Sequence, residues 1–305
     1  MTGIGPEVVA KLLAAPDVTR DADLVVMATE EELAAAAATA RVSLPEVETT
    51  PPAPVGAYEL GTVSQAAGRR ALEDLRRALD LHAAGEIDGI LFAPLNKSAL
   101  TLAGMTEHDE LRWFANRLGH DGPTSELNVL PDLTTARVTS HVAIREVADA
   151  ITVGGVVDAC RLLEDALRGQ GVAEPRLAVC ALNPHGGENG KFGTEEIDTI
   201  RPGVEKARAD GMDVVGPFPA DTLFIRAFAG ELDGVVTMYH DQGQIALKLK
   251  GFDDGVTVQG GLPVPIATPA HGTAHAIVGQ GVATVRPTVR ALEVVIGLAR
   301  HARPA

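Results

Sequence analysis

Short apolar runs alternate along the chain with stretches whose apolar residues return every three or four positions. The runs DLVVMAT (23–29), DGILFAPL (88–95), ARVTSH, RLAVCALNPH and DGVVTMYH read as strands. EELAAAAATA, ELRWFANRLG and the closing TVRPTVRALEVVIGLARHA read as helices, as does EEIDTIRPGVEKARADG, which Gly211 ends. The clearest amphipathic helix is SQAAGRRALEDLRRALDLHAAG, with Ala71, Leu75, Ala78 and Leu79 on one face and arginines opposite. Trp113, the only tryptophan, is expected to pack in the core. VADAITVGGVVDACRLLEDALRGQG is expected as at least two helical pieces broken near Gly154–Gly155. Residues 45–62 hold four prolines and no period, which predicts an irregular connection. The alternation predicts an α/β fold with a mostly parallel sheet, and 305 residues suffice for one large unit or two lobes.

The chain opens on MTGIGPEVVAKLLAA, a glycine turn feeding a helix with Pro6 near its first position. Such a turn ordinarily follows a strand, so a first strand is expected to be missing and its place in the sheet empty.

Composition narrows the partners. The net charge of −15 argues against a nucleic-acid or anionic-membrane surface. No apolar run approaches the roughly 20 residues that span a bilayer. Cys160 and Cys180 lie in apolar surroundings and read as core residues of a reducing cytoplasm.

Chemistry concentrates where strand-like runs end. ARVTSH ends at His141, RLAVCALNPH at His185 and DGVVTMYH at His240. Ligands of open α/β sheets sit at the carboxyl ends of strands. Imidazoles delivered there suit zinc, manganese, cobalt or iron, and three of them leave coordination positions open for substrate oxygens. The bland alternative is that each histidine caps a strand or satisfies a loop.

Other segments add candidates. GIGPE resembles an anion nest at a helix start. Neither a GxGxxG after a strand nor a GxxxxGK[ST] is present. APLNKSAL brings Asn96 and Lys97 to a sheet edge, and the glycines of NPHGGENGKFG let backbone approach a ligand near His185. MYHDQGQIALKLKGF offers Asp241 and Lys248 beside His240; Asp241 can orient the ring or accept a proton. GPFPADTLF carries Asp221 in what reads as a proline-rich loop, and Asp221 and Asp241 are equal candidates for the proton acceptor. AHGTAHAIVGQG reads as a glycine-bounded helix start suited to the adenosine end of a nucleotide.

Taken in order, GIGPE, APLNK, AG-x4-HDE, SHVAIREVADAIT, LNPHGGENGKFGTEEIDTI, GPFPADTLF, MYHDQGQIALK and GLP-x7-HGTA resemble the 4-hydroxythreonine-4-phosphate dehydrogenase (PdxA) family. The resemblance spans nearly the whole chain. It implies a two-lobed α/β/α fold like the isocitrate and isopropylmalate dehydrogenases, with residues 1–105 plus 275–305 in one lobe. Residues 106–274 would form the other, carrying metal ligands and dimer contacts. It further implies a cytoplasmic homodimer with a shared active site, using NAD (NADP left open) and a divalent metal such as zinc, magnesium, manganese or cobalt, within pyridoxine biosynthesis. His141, His185 and His240 match the metal ligands, one of them arriving from the partner subunit. Lys248 and His108 match substrate-binding residues, and His271, Gly272, Thr273 and Ala274 match the adenosine-side loop.

The chain departs from the family around the phosphate. Asp109 stands where a phosphate-contacting threonine is usual, Thr257 replaces an asparagine, and Ile266 takes the place of an arginine. Hydrogen bonds to charged groups contribute roughly 1.5–3 kcal/mol each, so these changes disfavour a phosphate by several such contacts. The expected reaction oxidises a secondary alcohol β to a carboxylate, followed by loss of carbon dioxide. The substrate is 4-hydroxythreonine 4-phosphate or a related phosphorylated hydroxy acid. The alternatives are an unphosphorylated cis-dihydrodiol carboxylate, a metal-dependent hydrolase or aldolase, and a metal-binding relic without activity.

Overall fold

Helix α1 (Gly5–Leu13) begins with Pro6 in its first turn, where a missing N–H leaves nothing unpaired, and with Glu7 against the partial positive charge of the helix start. The computed structural model describes residues 3–15, 20–52, 54–251 and 254–302. Met1 and Thr2 of the opening turn, and Phe252 at the end of MYHDQGQIALKLKGF, lie outside the described residues. The chain divides into two compact units, Met1–His120 with Val264–Ala299 and Asp121–Pro263 with Arg300–Ala305.

In the first unit, β1 (Val25–Met27) leads into α2 (Glu30–Ala40), started by a reciprocal capping box between Thr29 and Glu32. β2 (Glu48–Thr50) pairs in parallel with β1, so the connection expected to be irregular contains a strand. Three residues are too few to display a period; their order comes from the edge that β1 offers them.

Helix α3 (Gln65–Ala83) buries Ala71, Leu75, Ala78 and Leu79 as its pattern predicts. Its arginines do not all face water: Arg70 is 2% exposed. Asp74 at 2.5 Å, Glu32 at 2.9 Å and the Met27 carbonyl at 3.1 Å satisfy its guanidinium, which lets the charge turn inward. Burial opposes the charge on Glu32, but the Arg70 and Thr29 hydrogen bonds overcome it and hold the carboxyl below its ordinary value. β3 (Ile90–Leu91), α4 (Lys97–Leu102) and α5 (Glu110–Leu118) follow. Trp113 packs edge-on against Phe114 at 5.3 Å, and Phe114 lies 5.8 Å from Phe92.

The second unit opens with β4 (Ser125–Val129) and β5 (Thr134–Arg137), then α6 (Val147–Ala150) and α7 (Val153–Gly169). The helical break falls at Ile151–Thr152 instead of Gly154–Gly155. Thr152 is extended and its hydroxyl accepts from the Gly155 N–H at 3.0 Å, so the glycines become the first turn of α7. β6 (Leu177–Cys180), α8 (Arg201–Ala209), β7 (Val214–Phe218) and α9 (Ala220–Phe228) come next. β8 (Gly234–Thr237), α10 (His240–Gly251) and β9 (Val256–Gly260) complete this unit's run of elements.

The chain then returns to the first unit with β10 (Ile266–Pro269), which pairs in parallel with β3, and continues to α11 (Arg286–Ala302). The stretch after His271 does not begin an α-helix. Ala274 takes a left-handed φ of 46°, only one 3₁₀ turn forms at His275–Ile277, and the helix waits until Arg286.

Strands of the second unit run β9-β4-β5-β8-β6-β7. β4 is antiparallel to β9 and β5, whereas β5, β8, β6 and β7 are mutually parallel. The fold is thus the expected mostly parallel α/β arrangement. The first unit also takes in residues 106–120 and 264–274, which the motif order had allotted to the second lobe. The reason is packing: α5 stacks its aromatics on Phe92, and Ile266 pairs with Ile90. Cys160 and Cys180 are wholly buried; burial pushes both thiols up to about 12 and makes them inert core residues.

Candidate functional site

Three neighbouring parallel strands of the second unit deliver the three histidines. Ala136, Val236 and Val179 lie in one register row across β5, β8 and β6. From that row His240 is 4 residues on, His141 is 5 and His185 is 6, all past the same carboxyl edge. The rings of His141 and His240 lie 6.0 Å apart between centroids. Two imidazoles on one tetrahedral zinc would have ring centres roughly 5 Å apart, so this pair is about 1 Å wider than shared ligation requires. Nδ1 of His240 lies 2.6 Å from Asp241 Oδ1. A carboxylate on one ring nitrogen orients the other for a metal. Among the described residues, no group of three His, Cys, Asp or Glu side chains able to hold a metal forms within the single chain. His185 stands apart on its own loop, 6.5 Å between ring centroids from Phe192.

Backbone geometry singles out two of these residues. His141 and His185 both have φ near 55°. A left-handed conformation costs a non-glycine residue of order 1–3 kcal/mol and persists only where its surroundings impose it. Around His185 the imposing group is Glu196, a carboxylate 1% exposed that the sequence reading missed. Its Oε1 accepts the N–H groups of Leu182 at 2.8 Å and Asn183 at 2.7 Å, and its Oε2 accepts from Asn183 Nδ2 at 3.0 Å. Gly187, at φ 76°, passes so close that an added Cβ would sit 2.6 Å from Glu196 Oε2. The loop's glycines therefore let it wrap a buried carboxylate. The density of glycines followed by paired acids in NPHGGENGKFGTEE was the available signal.

The remaining second-unit candidates are spread over three elements. Asp221 is exposed in the first turn of α9, not in a loop: a helix-forming run follows Pro219 directly. Lys248 is exposed on α10, two turns beyond His240. Thr257 lies in β9 opposite Asn128 of β4.

In the first unit, Lys97 is exposed at the start of α4, beside Asn96, whose side chain accepts the Ala99 N–H at 2.9 Å. His108 is exposed. Asp109 is 4% exposed and caps α5, accepting the Arg112 N–H at 2.8 Å. Ile266 is fully buried in β10.

Two motifs of the first unit meet. The Ile4 N–H donates to the Thr273 carbonyl at 3.1 Å, and a Cβ on Gly3 would lie 2.3 Å from that oxygen, so only glycine permits the approach. Glu7, 3% exposed, accepts from the N–H groups of Ala283 at 2.7 Å and Gly281 at 3.2 Å and from Lys11 Nζ at 2.8 Å. Lys11 donates in turn to the carbonyls of Gly281 at 3.0 Å and Ala283 at 2.6 Å. The GIGPE segment thereby anchors the loop that follows HGTA. Nδ1 of His271 lies 3.1 Å from the Gly272 carbonyl, while its buried Nε2 has no hydrogen-bond partner among the described residues.

The family model described as "Pyridoxal phosphate biosynthetic protein PdxA" matches residues 10–295. A Pseudomonas aeruginosa protein provisionally named 4-hydroxythreonine-4-phosphate dehydrogenase 2 is 50% identical over 98% of this chain and 94% of its own length. The D-threonate 4-phosphate dehydrogenase of Salmonella typhimurium is 38% identical, covering 92% of this chain and 90% of its own. Among solved structures, a 4-hydroxythreonine-4-phosphate dehydrogenase from Burkholderia phymatum is similar at a TM-score of 0.81 and 34% identity, covering 97% of this chain and 95% of that one. A terephthalate 1,2-cis-dihydrodiol dehydrogenase from Burkholderia xenovorans is similar at 0.68 and 28% identity, covering 93% and 91%. A β-decarboxylating dehydrogenase from Thermococcus kodakarensis, at 0.53 and 15%, covers 94% and 78% and shares the fold.

Proposed function

The chain belongs to the PdxA family and is an oxidoreductase acting on CH–OH groups, and we propose that it is an NAD-dependent, divalent-metal-dependent dehydrogenase of a phosphorylated hydroxy acid. The substrate class is 4-hydroxythreonine 4-phosphate or threonate 4-phosphate, the former within pyridoxine biosynthesis. The observation that carries this reading is the row of strand-terminal histidines, two of them in left-handed backbone.

His141, His185 and His240 are the proposed holders of the cation. When bound, the cation would supply Lewis acidity toward the substrate hydroxyl, and a nicotinamide would supply the hydride acceptor. Asp241 fixes the His240 ring through its 2.6 Å contact. That engagement leaves Asp221, exposed at the start of α9 beside the edge of β6, as the acceptor of the hydroxyl proton. Lys248, with Lys97 and His108, holds substrate anions. The oxidised β-keto acid loses carbon dioxide, and the electron pair of the broken C–C bond passes to the enolate. His271 to Ala274 hold the adenosine side of the cofactor.

The partner we assign is a second copy of this chain, which supplies the histidine that a single chain does not bring in. Ile245 and Leu249, one turn apart on α10, are 59% and 84% exposed, and Val142 and Ile144 beside His141 are 41% and 71% exposed. An apolar surface of this kind supports a homodimer through this face. No described helix is long and apolar enough to cross a membrane, and the unreactive buried thiols suit the cytoplasm.

A second reading keeps the chemistry and changes the acid. Ile266 is sequestered in the core and Asp109 caps a helix, so neither position offers a cation or hydroxyl to a phosphate. These residues favour an unphosphorylated carboxylate of the cis-dihydrodiol kind. Absorbance of reduced nicotinamide, followed with cobalt or manganese and a panel of both acid classes, distinguishes them. Turnover of the phosphorylated acids supports the first reading; turnover restricted to unphosphorylated carboxylates replaces it with the second. Reaction without nicotinamide reduction removes both.

A further inference from the structure

Two side chains, Thr139 and Gln242, link the strand ends that precede the three histidines. The Gln242 Oε1 accepts the Met238 N–H at 2.7 Å, and its Nε2 donates to the Ala181 carbonyl at 2.7 Å, joining positions 61 residues apart. The Met238 carbonyl in turn accepts from Thr139, through Oγ1 at 2.7 Å and through N–H at 3.1 Å. The Ala181 N–H donates to the Phe218 carbonyl at 2.7 Å, extending the connection to the end of β7. Thr139 precedes His141 by two residues, Met238 precedes His240 by two, and Ala181 precedes His185 by four. The hydrogen-bonded series Thr139–Met238–Gln242–Ala181 therefore crosses all three strand ends just before each histidine.

We propose that Gln242 is a positioning residue whose carboxamide ties the His185 loop to the His240 loop, which Thr139 already joins to the His141 loop, so that the three move as one mechanical unit. The inference rests on the reading of these histidines as metal ligands for its consequence, though not for its geometry. A carboxamide is the side chain this place requires: it accepts from one strand end and donates to the next, which neither a carboxylate nor an apolar group can do. Its reach back to the Met238 N–H is ordinary helix-start capping. The bond to Ala181 is not, because it leaves α10 altogether. Where loops of one chain must present donors to metal centres shared with a second copy, outer hydrogen bonds of this sort decide how well the donors are oriented.

Two variants separate capping from tying. Gln242→Glu keeps the acceptor for Met238 and removes the donor to Ala181; Gln242→Met removes both. Hydrogen–deuterium exchange of the metal-free full-length protein reads the result without reference to metal. In Gln242→Glu, peptides covering 139–143 or 181–189 are expected to exchange about tenfold faster while 238–246 stays near wild type, the scale of one net hydrogen bond. Gln242→Met accelerates all three. Cobalt titration then reads the consequence: affinity falls about 10- to 100-fold in both variants, with kcat, while KM for NAD does not move. Unchanged exchange at 139–143 and 181–189 in Gln242→Glu overturns the proposal. So does acceleration confined to 238–246. Failure of the wild-type protein to bind cobalt sinks the metal reading instead, and exchange still decides whether Gln242 ties the loops.

Discussion

The histidine loops of the second unit and the HGTA loop of the first are both placed at strand ends, yet they are held by different means. In the second unit Thr139 and Gln242 cross-link neighbouring strand ends, the Glu196 carboxylate caps the backbone before His185, and two histidines accept a left-handed backbone. In the first, a buried charged pair, Glu7 with Lys11, grips the backbone at 281–283, and a glycine docks flush against Thr273. The first arrangement presents imidazoles past one strand edge, as the proposed cation site requires. The second fixes the backbone of the loop proposed to hold the cofactor. Substitutions in the two regions should therefore fail differently.

The sharpest break is His240→Ala. Removing a metal ligand is expected to lower kcat about 10³-fold or more and abolish cobalt binding, with KM for NAD unchanged. Steady-state kinetics and cobalt titration check it; a variant that keeps both would erase the contrast between the units. Next come the loop supports. Glu196→Gln removes the charge that accepts two backbone N–H groups and is expected to cost about 1.5–3 kcal/mol in urea unfolding. Gly187→Ala, which combines positive φ with a Cβ against Glu196, is expected to cost a similar amount of roughly 1–3 kcal/mol. Cobalt affinity falls in both.

On the other side, Lys11→Met leaves Glu7 buried without its cation at a cost of about 1–3 kcal/mol. It raises KM for NAD without altering cobalt affinity; a change in cobalt affinity alone would contradict the division of labour. The smallest effect is on acid stability. Because the folded-state carboxyl of Glu32 titrates below its ordinary value, its contribution is present at neutral pH and lost as pH falls through that lowered value, below about pH 4. Glu32→Gln should flatten this acid limb by under about 1 kcal/mol, since Glu32 is partly exposed.

Much of this was legible from periodicity and from where strand-like runs stop. The helix over 65–83, the strands that lead toward the three histidines (though they stop at Arg137, Cys180 and Thr237, short of each) and the packing role of Trp113 all follow from pattern. What pattern missed was determined by distant partners. Arg70 sits on the buried side of its helix because Glu32 and Asp74 meet it there. Glu48–Thr50 become a strand only because β1 lies alongside. Asp109, read as a substrate contact, caps α5 from a buried position, and Glu196 and Gln242 act through loops 13 and 61 residues away. No local window contains such information.

X-ray absorption of the cobalt-loaded enzyme tests the central claim most directly. Three imidazole nitrogens per cobalt are expected in the wild-type protein, falling to two in each of His141→Ala, His185→Ala and His240→Ala that still takes up metal. Cobalt bound with no imidazole scattering, or a coordination shell indifferent to all three substitutions, would contradict the account.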